Sequence, residues 1–213
     1  MDNLIEKTIE YVKEFFAKEY TGHDFYHTLR VYNMAKKIAE HEKCNEELVY
    51  LGALLHDVDD YKLVGQEDES FKNAKTYLRS QGVSETEIEQ ICHIISQVSF
   101  KGDDSVVPDT IEGMIVQDAD RLDALGAMAI IRTFIFGGSH NIPIHIPEMK
   151  PRENMSADEY YKYNRKCINH FYEKVLKLKD LMNTQTAKNI AIHRHEYVEG
   201  FLEEFYGEWE GRI

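Results

Sequence analysis

The sequence predicts an all-α protein, a helical bundle forming a single domain over residues 1–213. Three observations predict it. Apolar residues recur at three-to-four spacing through most of the chain. Ser, Thr or Asp stands where helices would begin, twice with an acidic partner three residues on. No stretch alternates apolar and polar residues as a half-buried strand would.

Ile5, Ile9, Val12 and Phe16 put an amphipathic helix over Leu4 to Lys18, ended near Thr21-Gly22. A second helix starts near Asp24 and runs to about Glu42, with His27, Val31, Met34, Ala35 and Ile38 on its inward stripe. The stretch Leu48 to Lys62 is expected to organise the rest. Leu48, Leu51 and Leu55, with Gly52 between, point into a core, and His56-Asp57 follows where that helix enters the interior. Phe71, Ala74 and Leu78 mark a further helix closed by Gln81-Gly82. Ser84 with Glu87 forms a capping box ahead of the stripe Ile88, Ile91, Cys92, Ile95 and Val98.

Residues 101–109 read as a loop. From Asp109 one helical face carries Ile111, Met114, Ile115 and Asp118, and continues through Leu122, Leu125 and Ala129. The run from Gly137 to Arg152 holds three of the four prolines. It is read as non-helical, and its length suits an active-site cover or, equally, a surface loop packed on its own side chains. Ser156 and Glu159 cap a long helix through Ile168, Phe171, Tyr172, Val175 and Leu178; the last helix begins near Thr184.

A formal net charge of −13 argues against a nucleic-acid polymer or an anionic membrane surface as partner. It leaves room for a small anionic ligand, because a metal ion and a few local cations can invert the potential of a cleft. Three scattered cysteines imply neither a disulfide framework nor a zinc-cysteine knot. The start MDNLIEKTIEYVKEF lacks the pattern of a signal peptide. A cytoplasmic protein is therefore expected.

Asp118 occupies a position its helical pattern reserves for an apolar side chain, and a lone buried carboxylate costs several kcal/mol. It needs a cation, whether Arg121 or a metal. His27 and the His56-Asp57 doublet lie inward in the same way. A single inward histidine is ordinarily a core residue bonded to backbone, and a second doublet, His23-Asp24, occurs at a helix start. The joint occurrence is what matters: two imidazoles and two carboxylates on three helices can satisfy one another through one divalent cation.

The order His27, His56-Asp57, Asp118 resembles the H…HD…D signature of HD-domain metal-dependent phosphohydrolases. GHDFYHTLRV, LLHDVDDYK, SFKG, QDADRLDALGA and the tail LKDLMNT…HEYVEGFLEEFYGEW look like the small stand-alone bacterial members, over nearly the whole chain. The resemblance implies an all-α HD fold with one metal held by His27, His56, Asp57 and Asp118. Residues 58–117 contain only His93, short of the two extra histidines of dinuclear members, so His93 is read as a core or rim residue. Asp60 stands where related enzymes orient or deprotonate the attacking water. Asp59, Asp120 and Asp123 are read as surface or second-sphere groups.

The ligand set suits Mn²⁺, Fe²⁺, Co²⁺, Ni²⁺, Zn²⁺ or Mg²⁺. His23, Lys62, Lys101 and Arg121 are expected to meet substrate. The expected reaction is hydrolysis of (deoxy)nucleoside triphosphates to monophosphate and pyrophosphate. A 5′-nucleotidase, a cyclic-nucleotide phosphodiesterase, a (p)ppGpp hydrolase, a non-catalytic nucleotide sensor and a purely structural helical domain are the alternatives. A homodimer is compatible with the composition.

Overall fold

A computed structural model describes residues 2–18, 24–59, 70–99, 105–152 and 167–213. Every regular element among them is helical. They fall into two compact units, residues up to 99 with 105–120 forming one and residues 121–213 the other.

In the first unit, α1 (Asp2–Phe15), α2 (Phe25–Ala39), α3 (Glu46–Leu55), α4 (Lys72–Ser80) and α5 (Glu85–Ser96) precede α6 (Ile111–Asp123), which runs across the boundary. Asp24 caps α2 by accepting from the His27 amide at 2.8 Å. Asn45 caps α3 in the same way, and Ser84 with Glu87 forms the expected capping box of α5. These caps satisfy amides that the first turn leaves without partners.

The centre of this unit is α3. It packs on α1, α2 and α5, and every residue from Leu48 to Leu55 is buried. Full burial of each leucine side chain contributes about 2 kcal/mol. Gly52 permits the approach of α5, since a Cβ there would stand 3.0 Å from Ile94 Cγ2. The inward helix foreseen from Leu48 ends at Leu55, so His56 and Asp57 sit in the turn that leaves it. In α6, Gln117 Nε2 donates to the Gln97 and Val106 carbonyl oxygens at 2.7 and 2.9 Å, which seats this helix in the unit.

The second unit contains the end of α6, α7 (Ala127–Ser139), α8 (Cys167–Glu173), a 3-10 turn (Val175–Leu181) and α9 (Gln185–Trp209). Thr184 caps α9, as its position suggests. Phe134, Phe171 and Phe201, from α7, α8 and α9, meet with ring centroids 5.8–6.1 Å apart and form the aromatic core.

Three sequence expectations are corrected in this unit. The face read as continuous through Ala129 is broken at residues 124–126, where Gly126 adopts φ +84. A helix cannot continue through that conformation. Gly137 and Gly138, taken as the start of a loop, lie in the last turn of α7. The helix expected through Leu178 divides into α8 and a 3-10 turn at Lys174. Its capping box, Ser156 and Glu159, lies outside the described residues.

The proline-rich stretch after α7 is laced to α8. The Cys167 and Ile168 amides donate to the Pro143 and Ile144 carbonyl oxygens, and Asn169 Nδ2 donates to that of Met149 at 3.0 Å. Arg152 grips the buried Glu173 carboxylate through its amide, Nε and Nη2. This lacing suits a fixed strap better than a hinged cover.

Candidate metal centre

His27 lies in the first turn of α2, where the Asp24 cap fixes its backbone, and it is fully buried. His56 and Asp57 leave the end of α3 and are buried too. Their donor atoms converge. His56 Nε2 stands 3.3 Å from His27 Nε2, and Asp57 Oδ2 stands 3.3 Å from each of those nitrogens. Among the described residues, these three form the one group whose ligand atoms all lie within 4.8 Å of one another.

The hydrogen bonding makes this convergence informative. His56 Nδ1 lies 2.8 Å from the Ala53 carbonyl oxygen. A carbonyl only accepts, so Nδ1 carries the proton, and a neutral His56 offers a lone pair from Nε2. The His56 lone pair and the Asp57 carboxylate oxygen therefore face one point, which suits a shared cation there. Two donors each about 2.1 Å from one ion stand about 3.0–3.4 Å apart at ligand angles of 90–109°. The observed separations fit that spacing. The imidazole–carbonyl pair behind His56 is the outer support that metal-bound histidines ordinarily have.

The site's electrostatics agree. Burial pushes the His56 imidazole down, but the Asp57 charge and hydrogen bond, with help from Asp120 and the Ala53 carbonyl, raise it to about 9. The cluster draws in positive charge, as a proton or as a metal ion.

A further carboxylate stands beside the three. Asp120 Oδ1 comes to 3.5 Å from His27 Nε2 and 3.9 Å from His56 Nε2. Asp118, the fourth ligand expected from the sequence, is fully buried two residues earlier on the same helix. Residues 115–119 of α6 are buried one after another.

Of the remaining predicted site residues, His23, Asp60, Lys62 and Lys101 lie outside the described residues. Arg121 is buried, and its Nη1 donates to the Leu181 carbonyl oxygen. Asp123, read as peripheral, is buried and pairs with Arg132 at 2.7 Å. His93 is half-exposed and lies 2.8 Å from Asp109 Oδ1.

Residues 24–125 match the HD domain family. The chain is 36% identical to YpgQ of Bacillus subtilis (strain 168), with 92% of this chain and 89% of that protein covered. The crystal structure of an HD-superfamily hydrolase from Bacillus thuringiensis superposes with a TM-score of 0.77 at 42% identity, covering 98% of each chain. Bacillus subtilis YpgQ, crystallised in complex with ADP, superposes with a TM-score of 0.74 over 96% of this chain and 97% of that one.

Proposed function

Because the chain belongs to the HD domain family and is an HD-superfamily hydrolase, we propose that it is a metal-dependent phosphohydrolase of small nucleotides. Its reaction in this reading is hydrolysis of (deoxy)nucleoside triphosphates to monophosphate and pyrophosphate. The observation that carries the proposal is the meeting of His27 Nε2, His56 Nε2 and Asp57 Oδ2 at mutual distances of 3.3 Å. The ADP bound by YpgQ supports a nucleotide as the ligand class.

His27, His56, Asp57 and Asp118 would hold one divalent ion, with Asp120 close to the two imidazoles from the same helix as Asp118. When bound, that ion supplies Lewis acidity toward a phosphoryl oxygen and makes a water acidic near neutral pH. The two carboxylates balance the ion's charge, and the Ala53 carbonyl keeps the His56 lone pair directed inward. Asp120, with about a fifth of its side chain exposed, marks the solvent-facing side of the cluster.

Asp60, three residues after Asp57, orients the attacking water or accepts its proton. His23, Lys62 and Lys101 approach the phosphate chain. Arg121, next to Asp120 in the chain, adds positive charge from a fixed position. In this reading the protein works in the cytoplasm. None of its three cysteines forms a disulfide, and no single described helix is long and apolar enough to cross a membrane.

A panel of nucleoside mono-, di-, tri- and cyclic phosphates and (p)ppGpp, assayed with Mn²⁺, tests the proposal. Pyrophosphate and a nucleoside monophosphate are the expected products. Orthophosphate alone would identify a nucleotidase, and no turnover with any metal would overturn the enzymatic reading.

A further inference from the structure

The turn bearing the metal-binding doublet is fastened downstream as well as upstream, and the fastening comes from a residue that the proposed chemistry does not use. Helix α4 begins badly on its own. Its N-cap, Phe71, sits in the left-handed region at φ 50 and ψ 47 and offers no side-chain acceptor to the first amides. Asp59 supplies the acceptors instead. Its Oδ1 accepts from the Asn73 amide and its Oδ2 from the Ala74 amide, both at 2.9 Å. The bond is returned, since Asn73 Nδ2 donates to the Val58 carbonyl oxygen at 2.9 Å.

We infer that Asp59 is a positioning residue for the metal centre, clamping the His56-Asp57 turn to the start of α4. The inference rests on the reading of that turn as metal-binding. A cap in the next residue of the chain would serve helix stability equally well. A cap reaching back 14 residues also fixes where the capped helix stands relative to the turn that supplies it. The carboxylate faces the positive end of the helix dipole, which strengthens the clamp.

The anchor itself is firm. Ala74 and Leu78 of α4 are fully buried. The Tyr77 ring stacks on Tyr11 of α1 at 4.1 Å and 12°, and its hydroxyl lies 3.0 Å from that of Thr8. On the other side of the doublet, the Ala53 carbonyl holds the His56 ring. His56 and Asp57 are thus strung between two fixed points. Such support matters because ligand sets tolerate displacements of only about 0.5 Å.

Asp59→Asn tests the inference, since it keeps the size of the side chain but turns an amide nitrogen toward one of the two backbone donors. Mn²⁺ dissociation constants are measured on the full chain at 20 °C by electron paramagnetic resonance, with circular dichroism confirming the fold. Ile88→Val, a core truncation in α5, serves as the control for simple destabilisation. Asp59→Asn is expected to weaken Mn²⁺ binding on the order of tenfold, as loss of an outer support does, while Ile88→Val binds as wild type does. Unchanged binding by Asp59→Asn, or equal weakening in the control, overturns the inference alone. Wild-type protein that binds no divalent ion overturns the metal reading beneath it. Should Asp59→Asn fail to fold, Asn73→Ala removes only the return bond to Val58; weaker Mn²⁺ binding supports the clamp and wild-type binding overturns it.

Discussion

Asp120 and His27, from the end of α6 and the start of α2, meet with carboxylate oxygen and imidazole nitrogen 3.5 Å apart. Asp118, one half-turn earlier on α6, is more deeply buried. The two carboxylates can be told apart by their metal dependence. Asp118→Ala is expected to lower both Mn²⁺ retention and kcat/KM by about 100-fold, and Asp120→Asn to retain more of its metal. Metal analysis after dialysis against a weak chelator decides this, and equal metal loss in the two variants would contradict the assignment.

The proton affinity of His56 predicts a pH dependence. Its folded-state value of about 9 exceeds the ordinary 6.5, so the fold holds this proton more tightly than the unfolded chain does. The stabilisation is complete below about 6.5 and is lost as pH rises through about 9. With EDTA present, Tm is expected to fall on the order of 5 °C between pH 6.5 and 9.5 through this group. Saturating Mn²⁺ should flatten that slope, because metal takes the proton's place. Calorimetric titration at pH 7.5 in buffers of different ionisation enthalpy should register protons released as Mn²⁺ binds.

Gly126→Ala should be costly. The residue holds φ +84 and ψ −153 at the break between α6 and α7, a region essentially reserved for glycine. An added Cβ would also stand 3.2 Å from Arg194 Cβ and Cγ, on the side chain that donates to the Leu122 carbonyl oxygen. A loss of about 2 kcal/mol is expected. Differential scanning calorimetry would read it as a Tm lower by roughly 4–8 °C.

The strap supplies a double-mutant test. Arg152→Met leaves the Glu173 carboxylate, only 5% exposed, without the Nε and Nη2 donors of Arg152 while its amide still donates, at a cost of about 2–3 kcal/mol. Arg152→Met combined with Glu173→Gln should be less destabilised than the sum of the two single changes. Urea denaturation of the four proteins measures the coupling, and strict additivity would mean that the pair stabilises nothing.

Much of the fold was legible because short-range chemistry dictated it. Asp24, Ser84 and Thr184 announced helix starts through their own side chains. His27 and the His56-Asp57 doublet could be grouped because both interrupt an apolar pattern, on two different segments. The break at Gly126 was not legible, since Leu122, Leu125 and Ala129 keep helical spacing across it. The Asp59 cap was invisible because its amide partners belong to backbone 14 and 15 residues away.

Cys44 is half-exposed just ahead of α3, whereas Cys92 and Cys167 are buried. Burial, followed by the charges of Glu112, Glu46 and Glu42, raises its thiol, so nitroxide attachment should proceed in alkaline buffer and select this position. Helix α3 then serves as a ruler, its 10 residues spanning about 15 Å from near the label to the doublet. A paramagnetic ion captured at the far end would broaden the nitroxide spectrum, so its arrival could be timed directly, with no nucleotide in the tube.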